Sequence, residues 1–361
     1  MFVLDSHCDT PSQILRLRDL SKDNDHAHVD FPKLRKGGVD GAFFALYVPA
    51  RHDSDSDAAM AYAKRLLEVT QESVRNNSDK AALCRSVAEA MENKEKGLFS
   101  VFIGLENASP IGTSIDRIKA VHEWGVRYIT LCHSGNNEIC DSCAPVRKRW
   151  GGLSPFGKEA VAEMNRLGIL VDVSHVSDET FYDVLESSSK PVVATHSCCR
   201  ALAGHPRNMT DDMIRALASK GGVIQINFYP LFLDGNFASV LEDSGIMERG
   251  EAVEAEFIAD PSDPYRRAAW NAVQDELMAL PRPSYKVIAD HIDHVVALVG
   301  TDHVGLGSDF DGIEVTPEGM EDASSFSKIL DELRVRGYSE ADIAKIAGGN
   351  FLRVLDCCAG A

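Results

Sequence analysis

ILVDVSH (169–175) and PVVATH (191–196) are two short apolar runs rich in β-branched residues, each ending in a histidine. Runs of that length and type read as buried strands. The stretch between them, 177–187, opens on Ser177, a good N-cap, and closes in a serine run, so it reads as a helix. Strand, helix and strand in succession predict parallel strands joined by a crossover. Working outward, the same kind of run recurs at 2–5 (FVLD), 42–48 (AFFALYV), 99–105 (FSVFIGL), 127–132 (RYITLC), 222–228 (GVIQINF) and 303–308 (HVGLGS), which makes eight in all. Helical periodicity fills the intervals, as at 158–167, with Ala160, Val161, Met164 and Leu167 on one face, and at 211–219, where Thr210 is the expected N-cap. Eight strand–helix units predict an α/β fold of the (β/α)8 TIM-barrel type; a doubly wound open sheet is the alternative.

The expected arrangement is one barrel domain over 1–361. Its one long interruption, 229–285, lies between the seventh and eighth strands and is acidic, with eight Asp or Glu against Arg249 alone across 231–262. It reads as a partly helical insertion near one mouth of the barrel. The tail from 325 to 358 keeps helical periodicity and is expected to pack against the outside.

Composition narrows the function. The 361 residues hold 37 Lys plus Arg and 55 Asp plus Glu, a net charge of -18 that repels nucleic-acid phosphate. With 44% hydrophobic and 25% charged residues the chain is globular rather than disordered. No apolar run approaches the roughly 18 residues of a membrane span, and MFVLDSHCDT lacks the features of a signal peptide, so no membrane partner and a cytoplasmic location are expected. Nine cysteines, including the vicinal pairs Cys198-Cys199 and Cys357-Cys358, suit a reducing compartment. No GxSxG elbow and no Walker GxxxxGK[ST] is present.

The residues just after the runs are His7 and Asp9, Glu106, His133, His175, His196, Asn227 and Asp309. Barrel enzymes place their chemistry at the C-terminal ends of the strands, so this distribution predicts an active site there. His7-x-Asp9 on an extended segment would point both side chains the same way. Three His nitrogens with Asp and Glu oxygens suit Zn²⁺, and five ligands exceed what one catalytic zinc needs. Two ions are therefore expected, His7, Asp9 and Glu106 holding one and Glu106, His175 and His196 the other. Glu106 would bridge them at about 3.5–4 Å separation, with a hydroxide between the ions. His26-Ala27-His28 follows a polar run and reads as a loop, and His291-Ile292-Asp293 lies in helical periodicity, where i and i+2 do not share a face. Cys140-Asp-Ser-Cys143 has no second half at zinc-finger spacing and reads as a solvated loop.

LDSHCDTP, FIGLENA, LCHS, LVDVSHVSD, ATHSCCRAL, HPRNMTDDM, HVGLGSDFDG and the closing GGNFLRVL resemble, in order, the blocks of the renal (membrane) dipeptidases, binuclear-zinc barrels of the amidohydrolase kind. The resemblance implies a zinc dipeptidase with the same two metal groups. It adds roles for His133 on the scissile carbonyl oxygen, for Arg207 on the substrate's free carboxylate, and for Asp309 as proton shuttle. Asp311 is a rival for that last role, and Asp309 is preferred as nearer the strand end. The resemblance also implies a homodimer and dipeptides, L,D-dipeptides among them, as substrates. The chain ends DCCAGA without a long apolar tail, so it is similar to the bacterial cytoplasmic kind rather than the anchored one. Two competing readings are another metal amidohydrolase acting on a cyclic amide or lactone, and an inactive barrel that binds peptides.

Overall fold

Each of the eight runs forms a strand in the computed structural model, which is described over residues 1–359. The strands are β1 (Leu4–Cys8), β2 (Gly41–Tyr47), β3 (Ala81–Leu83), β4 (Phe99–Glu106), β5 (Val126–Thr130), β6 (Leu170–Asp172), β7 (Val193–Ser197), β8 (Val223–Ile226) and β9 (Val304–Leu306). All pairings are parallel in the order β1-β2-β4-β5-β6-β7-β8-β9. The short β3, which periodicity did not indicate, pairs with the start of β4, on the edge that β5 takes up further along, and lies off the barrel's strand order. Closure comes from the segment just past β9. Asp309 N donates to His7 O at 3.0 Å, Asp9 N donates to Phe310 O at 2.9 Å, and Cys8 and Phe310 form a parallel bridge.

Alternation within the strands builds two apolar layers. Ala42, Phe44 and Leu46 of β2 and Val101, Ile103 and Leu105 of β4 face the helices that surround the barrel. Leu4, Phe43, Phe102, Tyr128, Leu170, Val193 and Val223 fill the lower interior. Phe43 stacks on Phe102 with centroids 4.7 Å apart. Above this plug lies a polar layer in which Ser6 Oγ donates to Thr195 O at 2.7 Å and Asp172 accepts from Thr130 and Thr195.

The expected helices appear as Pro155–Leu167, Asp178–Ser187 and Asp211–Ser219, with Ser154, Ser177 and Thr210 accepting from the backbone N–H three residues on. The insertion holds helices Pro230–Leu233, Phe237–Ser244, Ile246–Ala259 and Pro264–Met278. It reaches the strap after β1 through Arg16–Glu254 at 3.1 Å and His26–Asp275 at 3.4 Å. Among the described residues no helix is long and apolar enough to cross a membrane.

The tail departs from the expected position. Ile329, Leu330 and Leu333 do pack in the outer layer, but the last helix, Asn350–Ala359, closes the bottom of the barrel. Phe351 meets Phe43 edge-on at 5.2 Å, while Arg353 donates to the carbonyls of Gly221 and Asp302, just ahead of β8 and β9. Periodicity shows that a helix has an apolar face and is silent on which surface receives it. Phe351→Ala is expected to lower stability to denaturant by about 3–5 kcal/mol, the cost of deleting a buried phenyl ring. Val335→Ala, at a side chain 80% exposed, should stay within about 0.5 kcal/mol in the same titration.

Candidate metal and active site

Glu106 ends β4, the longest strand of the barrel, and is 2% exposed. Its two oxygens face different groups. Oε1 lies 3.1 Å from His175 Nε2 and 3.4 Å from His196 Nε2, and Oε2 lies 3.5 Å from His7 Nε2. His7 Nε2 is also 3.5 Å from Asp9 Oδ2 and 3.8 Å from Asp309 Oδ1. All five residues read as ligands therefore meet at the strand ends, with Asp309 beside them. Three donor clusters are compact enough to hold an ion: His7, Asp9 and Glu106; His7, His196 and Asp309; and Glu106, His133 and His175. The first was expected. In the third, His133 takes the place expected for His196, so His133 stands within reach of the same centre.

The pairing of His7 with Asp9 has a different origin from the one the spelling suggests. β1 carries a register shift between Asp5 and Cys8, and Asp9 has left the extended region at φ -91°, ψ 24° as the cap of helix Thr10–Leu15. The turn, not strand alternation, brings the two side chains together.

Outer contacts fix the imidazoles. His7 Nδ1 and Tyr128 Oη are 2.8 Å apart, with the tyrosine ring lying over Gly104, where a Cβ would overlap it. His196 Nδ1 lies 2.8 Å from Thr195 Oγ1, which itself donates to Asp172 Oδ2 at 2.7 Å. Since Thr195's proton goes to the carboxylate, its oxygen is left to accept Nδ1–H, and His196 turns an unprotonated Nε2 inward. Asn107, at φ 72°, buttresses Glu106 by donating to Val48 O and Asp53 and accepting from Asn137. Reading strand ends alone misses Tyr128, Asp172 and Thr195. The available signal was Asp172 itself, a charge inside an apolar run.

The electrostatics are those of a dense, buried donor set. Burial, with the charge of Glu106, pushes Asp9 up to about 7. Burial opposes ionisation of Glu106, yet His7, His175 and His196 hold its carboxyl well below the usual range. Burial drives His175 well down and lowers His196 and His133, which favours the neutral imidazoles a metal requires. His7 Nε2 and Asp9 Oδ1 are buried without a hydrogen-bond partner. A borderline N/O donor set with unpartnered atoms turned to one centre fits divalent cations.

Arg207 is 8% exposed and lies over the Phe232 ring of the insertion at 5.3 Å. It donates to His196 O at 2.8 Å and Ser197 Oγ at 3.3 Å, has no carboxylate partner among the described residues, and keeps a buried Nε unbonded. His133 lies against His175 and Tyr47, at centroid distances of 4.2 and 4.8 Å, with Nδ1 unpartnered. Asp309 Oδ2 accepts from Asn227 Nδ2 at 2.8 Å, which leaves Oδ1 toward His7.

The remaining motifs fall outside the site. His291 accepts at Nδ1 from Cys199 N while Asp293 binds Arg336, so that pair is divided between two faces as expected. His26 pairs with Asp275, and His28 is taken up by the backbone of Asp311. The 140–143 turn corrects the expectation of solvated thiols: Cys140 is fully buried and Cys143 partly so. Asp141 between them accepts from the N–H groups of Arg149, Trp150 and Gly151, and this anchor draws the turn inward.

The model of the family described as membrane dipeptidase (peptidase family M19) matches residues 1–359. The chain is 33% identical over 350 residues to dipeptidase aclJ of Aspergillus oryzae, covering 95% of this chain and 73% of that protein. Among solved structures, the probable dipeptidase PvdM of Pseudomonas aeruginosa superposes with a TM-score of 0.83 at 28% identity, covering 99% of this chain and 96% of that one. A Rhodobacter sphaeroides metallopeptidase, liganded with a phosphinate mimic of the dipeptide L-Ala-D-Ala, gives 0.79 at 25% identity over 99% of both chains. With the family model matched over residues 1–359, this chain belongs to the membrane dipeptidase family, peptidase family M19, and is a metallo-dipeptidase.

Proposed function

We propose that this metallo-dipeptidase holds two Zn²⁺ ions and hydrolyses the single peptide bond of dipeptides, L,D-dipeptides among them. The observation that carries the reading is the division of Glu106, one oxygen toward His175 and His196 and the other toward His7. When bound, such a pair supplies Lewis acidity and brings the pKa of water to about 7. The ligands in this reading are His7, Asp9 and Glu106 for one ion, and Glu106, His175 and His196 for the other.

The chain's own groups do the rest. Arg207 is a buried fork without an anion among the described residues, and the free carboxylate of a dipeptide would complete it. That pairing limits length, since a longer peptide carries an amide at that position. His133 offers a ring nitrogen to the carbonyl oxygen as negative charge develops there. Asp309 takes the proton of the attacking water on Oδ1, held in place by the Asn227 contact to Oδ2, and returns it to the leaving amine. The phosphinate dipeptide mimic bound by the Rhodobacter sphaeroides relative supports a D-residue at the C-terminal position. A homodimer and a cytoplasmic location belong to the same reading.

Elemental analysis of active protein should find two divalent ions per chain, and chelation should abolish hydrolysis. Glu106→Gln should weaken both sites together; retention of one ion at normal affinity would make Glu106 a terminal ligand. Arg207→Met should severely reduce kcat/KM for a dipeptide, because removing one partner of a buried charged pair strands the other. The C-terminally amidated dipeptide should already be poor and should lose much less, so the double difference isolates the contact. Equal proportional losses would give Arg207 a structural role instead. In a panel of L,L- and L,D-dipeptides, L-Ala-D-Ala should be hydrolysed at least as well as L-Ala-L-Ala. A hundredfold preference for the L,L form would remove L,D-dipeptides from the proposal.

A further inference from the structure

Asp309 and Asp311 both sit in the left-handed region, at φ 62° and 68°, on the loop that closes the barrel. Non-glycine residues stay there only where their surroundings over-determine them. One side of the loop is held by the barrel, through Asp309 N to His7 O and Ser308 N to Asp5 Oδ1. The other side is held almost wholly through Asp311. Its Oδ1 accepts from Arg18 Nη1 at 2.5 Å and His28 N at 3.3 Å, and its Oδ2 accepts from Thr10 Oγ1 at 2.9 Å. Its own N–H donates to His28 Nδ1 at 2.9 Å, and its carbonyl accepts from Gln13 Nε2 at 3.2 Å. The carboxylate is thus spent on the strap between β1 and β2, and Asp311 belongs to none of the three donor clusters at the centre.

The tolerance of this loop is small. A Cβ at Gly312 would overlap Asp9 Oδ2 and crowd Asp309 Oδ1, so the backbone runs directly against two carboxylates of the site. A loop released at Asp311 would let Asp309 leave the left-handed conformation and carry Oδ1 away from the centre. Among the described residues Arg18 is the one cation paired with Asp311; its side chain is 13% exposed, while that of Asp311 is 1% exposed.

We infer that Asp311 and Arg18 are a positioning pair: they hold the closing loop in the conformation that presents Asp309 to the reaction, and touch neither substrate nor metal themselves. The inference rests on the reading of Asp309 as proton shuttle. It goes beyond that reading in making Arg18, on the strap between β1 and β2, and Asp311, on the closing loop, determinants of the turnover step.

The experiment is a cycle of Arg18→Met, Asp311→Asn, Asp309→Asn and the double variant Arg18→Met with Asp309→Asn. Steady-state kinetics on a dipeptide are read alongside divalent-metal affinity by chelator competition. Asp309→Asn should lower kcat by about 10² to 10⁴. Arg18→Met and Asp311→Asn should each lower kcat about 10- to 100-fold, the scale of a misplacement near 1 Å, with KM and metal affinity within about threefold of wild type. Adding Arg18→Met to Asp309→Asn should cost less than about threefold more, since the group being positioned is already disabled. Arg18 is the more exposed of the pair, so Arg18→Met keeps the test open if Asp311→Asn does not fold. Wild-type kcat in Arg18→Met, a multiplicative loss in the double variant, or a fall in metal affinity large enough to account for the loss would each overturn the positioning role. Wild-type kcat in Asp309→Asn would instead overturn the reading of Asp309 beneath it.

Discussion

A carboxylate removed from water at the end of a buried strand needs positive or donor partners in its place, and at Glu106 those partners are three imidazoles delivered by three other strands. The arrangement at the mouth depends on that demand. β4 carries Glu106 to the same level as the ends of β1, β6 and β7 because the sheet is parallel throughout. Closure then brings Asp309 in from the far edge. A divalent metal held by these donors would add positive charge to this balance, so occupancy of the site and the stability of its surroundings would be linked.

Beneath the candidate ligands a second layer converts backbone order into proton order. Asp172, buried in the barrel's interior, is satisfied by two threonine hydroxyls and by the N–H groups of Ser174 and Thr195. Its reach through Thr195 to His196 decides which ring nitrogen of His196 carries hydrogen. Of the six non-glycine residues with positive φ among those described, Asn107, His175, Asp309 and Asp311 lie at the strand ends that form the mouth. Strain is concentrated where side chains must be aimed, and each such residue is fixed by several hydrogen bonds of its own neighbourhood.

The eight strands and the barrel were legible because a buried parallel strand writes a short apolar run, and because polar groups at strand ends interrupt those runs at regular places. The donor residues were legible for the same reason. Less visible was anything set by non-local geometry. Nothing in LDSHCDTP announces the register shift that turns Asp9 toward His7, and nothing in DFDG divides the aspartates into one that faces the centre and one that faces the strap. Cys140 reads as solvated because its neighbours are polar, and it is buried because Asp141 gathers the backbone of the following loop around itself. The final helix was recognisable as amphipathic, while its destination at the barrel floor depends on the phenyl rings of strands two hundred and more residues away.

That floor has a consequence for how the molecule comes into being. Synthesis proceeds from the N-terminus, yet β1 finds its second neighbour only when the segment after β9 has left the ribosome, and the rings around Phe43 are covered only by residues from Phe351 onward. For most of translation the nascent chain carries an open sheet with two unpaired edges and an uncapped apolar interior, the kind of surface that invites association with other chains. The barrel is therefore sealed only once the segments around Phe310 and Phe351 have both emerged.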